Sequence, residues 1–413
     1  MKYGCIAERL GHSFSREIHA LLADYEYELK EIPRDGLDEF MKSRAFSAIN
    51  VTIPYKEAVI PYLDEIDETA KAIGAVNTIV NRDGRLYGYN TDFFGICSLL
   101  RYAGISLANR KVLILGTGGT SKTAYAVAKH LGAREILKVS RTGKDGAVTY
   151  EEAYACHGDA EILINTTPVG MFPSIHAEPL DLERFPNLLG VADTIYNPLR
   201  TQLVSHAMKK GITAIGGLYM LVAQAALASE KFIDRPTSDE TIERVYKQIL
   251  KSKENIVLTG MPGCGKTTIG RRVAKALGRS FIDTDEAIVK RIGMSIPEYF
   301  EKYGESAFRD VESAVIAEEI APLTAAVIAT GGGAVLRQEN VENLKRNGMI
   351  LFLDRPVEEI RPTASRPLSS DRKTLEMRHK ERHPIYVSTC DLRMPTSPIR
   401  AENVKMILEK MKI

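Results

Sequence analysis

Gly260-Met261-Pro262-Gly263-Cys264-Gly265-Lys266-Thr267 has the spacing G-x-x-x-x-G-K-[ST], set between an apolar run, NIVLT, and a run of helical period. Gly260, Gly263 and Gly265 free the backbone so that N–H groups here, including that of Cys264, curl around a triphosphate at a helix N-terminus. Lys266 is placed to reach the β- and γ-phosphates of ATP. Thr267, with Thr268 beside it, is placed to meet Mg²⁺. Such a loop specifies the nucleotide and leaves the acceptor open. Asp283 and Asp285 close the run FIDTD at i and i+2, a spacing that turns both carboxylates the same way at a strand's C-terminal end. One can serve magnesium and the other can take a proton from an alcohol, while an N-cap role suits one of them equally. Downstream lie Arg309, Glu312, Gly331-Gly332-Gly333, Arg366 and Arg382. Guanidinium forks suit planar carboxylates.

The first half holds a second glycine turn. Gly116-Thr117-Gly118-Gly119 follows KVLIL and opens a helical run, the context for a pyrophosphate at a helix N-terminus. The next apolar run ends in Ser140-Arg141-Thr142. NAD sites carry an acid near that point, about 20 residues after the glycines; an arginine instead favours a 2′-phosphate, hence NADP(H). Polar clusters punctuate otherwise apolar surroundings. They are HSFS with Ser13 and Ser15, NVTIPYK with Thr52 and Lys56, AVNT with Asn77, GYNTD with Asp92, and GLYMLVAQ from Gly217 to Gln224. Two serines, a lysine, an aspartate and several amides suit a small polyhydroxylated ligand.

The elements that must position these groups read as α/β throughout. Each glycine turn begins an alternation of strands and helices, the signature of a parallel sheet. EILKVS, EILINTT, GVADTIY and ITAIGG follow the first; FIDTD, AVIATGGG and MILFLD follow the second. The first hundred residues contain their own strands (SAINVTI, AVNTIVN, RLYGYN) and form a separate lobe. The expected organisation is an α/β substrate lobe over 1–103, completed by helices within 217–250; a Rossmann-type NADP domain over 104–216; and a P-loop parallel α/β domain over 254–413. The polar stretch around 234–253 separates the halves.

From Asn255 onward these motifs resemble shikimate kinase. The resemblance implies that Asp285 holds substrate hydroxyls and acts as base, with Thr267 and Asp283 on magnesium. It also implies that Arg309 and Arg382 grip the substrate carboxylate and that the triple glycine brings backbone to the substrate. Arg366 would ride on a mobile lid near 363–374, and Arg361 is a candidate to stack on adenine. Nearly all of residues 1–233 resembles shikimate dehydrogenase. There the resemblance gives Ser13 and Ser15 to the substrate carboxylate, Thr52, Asn77 and Gln224 to its hydroxyls, and Lys56 with Asp92 to catalysis. Asn165-Thr166-Thr167-Pro168-Val169-Gly170-Met171 and Asp193-Thr194-Ile195-Tyr196-Asn197-Pro198 match the family's later strand-end motifs; the loop at Pro168–Met171 then borders the nicotinamide, with Thr166 and Gly217 counted among the cofactor contacts, and Tyr196 reaches the substrate. The implied chemistry is coherent: hydride reduction of a ketone leaves an alkoxide, to which Lys56 supplies a proton while Asp92 holds its ammonium. Arg16 and Ala20 stand where that family commonly has Pro and Asn, which bears on shikimate against quinate. The resemblance implies 3-dehydroshikimate and shikimate as substrates. A pairing of one enzyme with a ligand-sensing half, and a different oxidoreductase–kinase pair, remain the alternatives.

Composition sets the outer bounds. The 413 residues suggest roughly two or three domains, with 44% hydrophobic and 26% charged residues, as in ordinary globular chains. A net charge of +2 gives no general reason to expect a nucleic-acid or membrane partner. The five cysteines include no C-x-x-C pair and point to a reducing compartment rather than a disulfide framework or zinc site. With no secretory leader and no long apolar run, the expected location is the cytoplasm.

Overall fold

A computed structural model describes residues 1–11, 13–360 and 372–411. The chain divides into two compact units, Met1–Ile249 and Leu250–Ile413. Among the described residues no helix is long and apolar enough to cross a membrane.

The first unit contains two sheets. One is built from β1 (Tyr3–Ala7), β2 (Tyr27–Glu31), β3 (Ala48–Val51), β4 (Glu65–Ile66), β5 (Thr78–Arg82) and β6 (Arg85–Tyr89), in the order β2-β1-β3-β5-β6-β4. β1 pairs in parallel with β2 and β3, and β5 runs antiparallel between β3 and β6. β3, β5 and β6 occupy the three expected runs. β1, β2 and β4 had no clear sequence signal: β2 reads YELKE and exposes four of its five residues at the sheet edge, so it lacks the apolar alternation that marks a half-buried strand.

The helix Leu218–Ile233 belongs to this lobe although the whole of the second sheet intervenes in the chain. It crosses the helix Thr91–Ala103 where a Cβ on Gly95 would stand 3.0 Å from the Gln224 Cβ. That contact needs a residue without a side chain. Its Ala228 and Phe232 close a core with Cys5, Tyr27, Ala48 and Val80.

The second sheet comprises β7 (Lys111–Leu115), β8 (Glu135–Val139), β9 (Ile162–Asn165), β10 (Gly190–Asp193) and β11 (Thr213–Ile215), all parallel, in the order β11-β10-β9-β7-β8. Every residue of β7 is buried, as expected for a parallel strand covered on both faces. The second unit repeats this logic with β12 (Asn255–Thr259), β13 (Ser280–Asp283), β14 (Ala326–Ala329), β15 (Gly348–Asp354) and β16 (Leu392–Pro395), parallel in the order β13-β14-β12-β15-β16.

One sequence expectation needs correction. The run FIDTD does not stay extended through its second aspartate. β13 stops at Asp283, whose Oδ1 accepts the Asp285 N–H at 3.0 Å and caps the helix Thr284–Ile292. A carboxylate facing free helical N–H groups favours the helix start over one more strand residue. EILINTT, GVADTIY and AVIATGGG likewise end as strands at Asn165, Asp193 and Ala329, leaving their polar tails in loops at the strands' C-terminal ends.

Two candidate active sites

In the first unit, Lys56 lies just beyond β3 and Asp92 in the first turn of the helix Thr91–Ala103. The Lys56 Nζ donates to Asp92 Oδ2 at 2.6 Å, with side chains only 12% and 7% exposed. It also reaches Thr120 Oγ1, 3.4 Å away on the helix that follows the glycine turn. Around this pair the amides interlock. Asn77 Nδ2 donates to Thr91 Oγ1 (3.0 Å) and Gln224 Oε1 (3.5 Å), and Asn77 Oδ1 accepts the Thr91 N–H at 2.7 Å. Two of the residues singled out from sequence, 147 positions apart, therefore meet. Asn90 caps the helix of Asp92 through the Phe93 N–H and donates to Ala75 O and Thr123 Oγ1, tying the lobe to the second sheet's first helix.

Ser13 and Ser15 flank the buried Phe14, and Ser13 Oγ accepts the Ser15 N–H at 3.2 Å. Tyr196 joins them: its ring lies 5.2 Å from that of Phe14, and its hydroxyl pairs with Ser13. Burial raises the Tyr196 pKa to about 12, so the phenol keeps its proton as a donor. Thr52 holds the loop after β3 through its backbone, donating to Ile6 O and accepting from Tyr55. Arg16 and Ala20, the two departures from the family pattern, are exposed on the helix Ser15–Leu22.

The glycine turn lies beside Lys56. Gly116 has φ +109, and a Cβ there would stand 2.9 Å from Thr166 Oγ1; Gly118, the N-cap of the helix Gly119–His130, has open space where a side chain would be. A Cβ on Gly119 would lie 3.5 Å from Lys56 Cδ. This is a helix N-terminus with bare backbone next to a buried lysine. Ser140 Oγ accepts the Gly143 N–H in the turn after β8, and Arg141 and Thr142 are exposed there. Gly217 sits against the Thr194 backbone so closely that any side chain would collide.

A buried polar group joins the ends of β9 and β10. The wholly buried Asp193, last residue of β10, accepts from Asn165 Nδ2 (3.0 Å), the Ile195 N–H (3.0 Å) and Thr201 Oγ1 (2.7 Å). Asn165 Oδ1 in turn takes the Thr167 N–H and hydroxyl. Both loops, at Thr166–Met171 and at Tyr196, therefore hang from one carboxylate. Burial raises its pKa to about 7 against these three donors. Sequence motifs named the stretches; only the strand register Asp193–Asn165 brings the two side chains together.

The second unit holds a pocket of about 940 Å³, lined by the loop after β12, Asp283, Asp285, Phe308, Arg309, Glu312, Gly331–Gly333 and Arg382. Gly260, Gly263 and Gly265 all have positive φ (+141, +87 and +106), the conformation that Gly adopts without strain. Lys266 Nζ donates to Gly260 O (2.8 Å) and Met261 O (3.1 Å) and lies 4.0 Å from Cys264 Sγ. Thr268 faces the same pocket. Thr267 Oγ1 donates to Asp283 Oδ2 at 2.8 Å, so hydroxyl and carboxylate oxygens converge as a hard cation requires. Thus Asp283 is both cap and cation candidate, and Asp285 borders the pocket from the helix rather than the strand.

The triple glycine is pressed from three sides. A Cβ on Gly331 would stand 2.6 Å from Asp285 Oδ1, one on Gly332 2.7 Å from Pro262, and one on Gly333 would collide with the Arg309 guanidinium. Arg309 donates to Glu312 Oε2 at 2.5 Å and Glu305 Oε1 at 3.1 Å; Arg382 donates to Gly332 O at 3.1 Å, and the Tyr386 hydroxyl also donates to that oxygen. Burial raises the Glu312 pKa against the pull of Arg309, and nearby Asp285 adds to the rise. Thr284, whose Oγ1 accepts the Gly331 N–H, and Arg355 and Arg400 at the pocket wall carried no motif that would single them out. Arg366, Arg361 and most of the expected lid lie outside the described residues.

Known proteins match each unit. The shikimate kinase family profile matches residues 262–412, and that of the shikimate dehydrogenase substrate binding domain matches residues 5–79. A shikimate dehydrogenase (NADP(+)) of Clostridium beijerinckii is 38% identical over 261 residues, spanning 59% of this chain and 96% of the relative. The solved shikimate dehydrogenase 1 of Peptoclostridium difficile is similar with a TM-score of 0.57 and 34% identity, covering 60% of this chain and 98% of that one. The shikimate 5-dehydrogenase of Thermus thermophilus, solved with NADP(H) and shikimate, has a TM-score of 0.54 at 30% identity over 60% of this chain and 99% of its own. The chain belongs to the shikimate dehydrogenase family through its N-terminal part and carries a shikimate kinase domain in its C-terminal part.

Proposed function

We propose that this chain catalyses two consecutive steps: reduction of 3-dehydroshikimate to shikimate with NADPH, then transfer of the ATP γ-phosphoryl group to a shikimate hydroxyl. The observation that carries the reading is a recurrence. Each unit sets a bare helix N-terminus, at Gly118–Gly119 and at Gly265–Lys266, close to an acid–base group, Lys56 with Asp92 in one and Asp285 in the other. Residues 1–103 with the helices of 217–250 hold the first substrate, 104–216 hold NADP(H), and 254–413 form the kinase.

In the first site, bound NADPH supplies the hydride. Ser13, Ser15 and Tyr196 meet the substrate carboxylate end, while Thr52, Asn77 and Gln224 meet its hydroxyls. Lys56 gives its proton to the oxygen that becomes an alkoxide, and Asp92 stabilises the ammonium and orients it. Gly116, Gly118, Gly119, Thr166 and Gly217 form the cofactor edge, with Ser140, Arg141 and Thr142 on the 2′-phosphate. In the second, Asp285 takes the hydroxyl proton as that oxygen attacks the γ-phosphorus and the bond to the ADP oxygen breaks. Thr267 and Asp283 fit Mg²⁺, which would neutralise charge on the β- and γ-phosphates when bound. Lys266 must leave the Gly260 and Met261 carbonyls to reach those phosphates. Arg309 and Arg382 hold the carboxylate against Gly331–Gly333. The substrates are small molecules, without a nucleic-acid or membrane partner, and the five free thiols suit the cytoplasm. Incubation of the full chain with 3-dehydroshikimate, NADPH, ATP and Mg²⁺ is expected to give a reduced, phosphorylated product by mass. A product that is reduced only, or phosphorylated only when shikimate is replaced by another acceptor, refutes the reading.

A further inference from the structure

We propose that Asp354, His379 and His383 form a binding site for a divalent transition-metal ion of the zinc class, distinct from the magnesium site of the nucleotide pocket. His379 and His383 are four residues apart on the helix Arg372–Thr389, and their ring centroids are 5.0 Å apart. Side chains at i and i+4 share a helix face, the spacing with which two imidazoles grip one zinc ion. Asp354 ends β15 opposite them, and one donor atom from each of the three residues lies within 4.8 Å of the others. Tetrahedral bonds of about 2.1 Å place ligand atoms about 3.4 Å apart. His383 Nε2 is already 3.2 Å from Asp354 Oδ1, so closure on an ion calls chiefly for a shift of the His379 side chain.

The surroundings fit a ligand set. Asp354 Oδ2 is held by Arg393 Nε at 2.7 Å, which leaves Oδ1 toward the histidines and orients the carboxylate as the outer partners of metal ligands do. The Phe352 ring meets His383 edge-on at 5.5 Å and limits its rotation. Two imidazoles and one carboxylate select zinc, cobalt or nickel over Mg²⁺, which prefers an all-oxygen shell. All three side chains are partly buried, leaving room for water as a fourth ligand.

The site also has a mechanical position. His383 follows Arg382, and Asp354 precedes Arg355; both arginines line the pocket. A bound ion would pin the helix bearing Arg382 to the strand end bearing Arg355. The test uses Co²⁺ as probe on the full chain, with ADP and excess Mg²⁺ filling the nucleotide site. One equivalent of Co²⁺ is expected by equilibrium dialysis, with visible absorption of a four-coordinate site, displaced by Zn²⁺. His379→Gln, on a half-buried helix position outside the kinase machinery, should weaken binding at least tenfold and leave kinase activity measured with Mg²⁺ alone unchanged. His383→Gln should also weaken it. In the unsubstituted chain, Zn²⁺ should slow amide exchange in the helix Arg372–Thr389 severalfold, and not in the His379→Gln variant. Absence of binding, or Co²⁺ affinity in both histidine variants equal to that of the unsubstituted chain, overturns the proposal.

Discussion

Replacing Lys56 by Met separates the two activities most sharply. The substitution keeps the length and apolar stem of the side chain and removes only the ammonium, 2.6 Å from Asp92. Loss of a positioned proton donor lowers turnover by about 10²–10⁴-fold, which is about 2.7–5.4 kcal/mol of transition-state stabilisation. A structural cost accompanies it. Asp92 is 7% exposed, and stripping a buried charge of its partner costs about 3–5 kcal/mol; the remaining exposure of the pair puts the expected loss near the lower end. Lys56→Met/Asp92→Asn removes both charges and should recover much of that stability without recovering reduction. The assay is NADPH oxidation with 3-dehydroshikimate, run beside ATP-dependent phosphorylation of added shikimate, with thermal unfolding of each variant. Phosphorylation should persist at the parental rate, because every proposed kinase group lies in the other compact unit. Reduction within tenfold of the parent would refute Lys56 as proton donor. Equal loss of both activities in a folded variant would refute two independent sites.

Asp285→Asn should lower phosphorylation by about 10²–10⁴-fold and leave reduction intact; retained kinase turnover removes Asp285 as base. Gly331→Ala inserts a methyl group 2.6 Å from Asp285 Oδ1, and a displaced base should cost the kinase roughly a hundredfold in kcat/KM with shikimate, whereas an unchanged value means the glycine is not needed there. Asp193 predicts a pH dependence. Its folded pKa, about 7, lies above the unfolded value of about 3.9, so the native state holds the extra proton between them. Stability relative to Asp193→Asn should fall by up to about 1.4 kcal/mol per pH unit from pH 5 to pH 7 and level off above. Urea midpoints of the pair measured across that range check it, and a pH-independent difference refutes the buried, protonated carboxyl.

The sequence was most legible where the backbone itself does the chemistry. Three glycines at fixed spacing before Lys266 demand positive φ and a helix start, and nothing else satisfies that pattern as well. The parallel strands were visible because both faces of β7 and β12 are buried, giving unbroken apolar runs. The first lobe was less legible: β2 is polar and β4 has two residues, so their pairing rests on tertiary context rather than local pattern. At the sites, Lys56 and Asp92 could be paired only through resemblance, since 36 residues separate them. Thr120, Asn90 and the Asp193–Asn165–Thr201 group act by bridging elements, a property that single-position chemistry does not reveal. The Asp283–Asp285 spacing pointed to the right pocket by way of a strand that ends earlier, because capping geometry prevailed over continued extension.

The return of the helix Leu218–Ile233 to the first lobe sets a timetable for synthesis. Cys5, Tyr27, Ala48 and Val80 lack their Ala228 and Phe232 cover until residue 233 has cleared the ribosome exit tunnel. At about 5–20 residues per second, the chain beyond β6 takes roughly 7–30 seconds to supply it. During that interval the nascent first lobe presents an apolar face, the kind of surface that chaperones hold. A nonsense mutation between 104 and 217 therefore releases a fragment with its substrate-lobe core uncovered, whereas termination after 253 releases a chain that carries the covering helix.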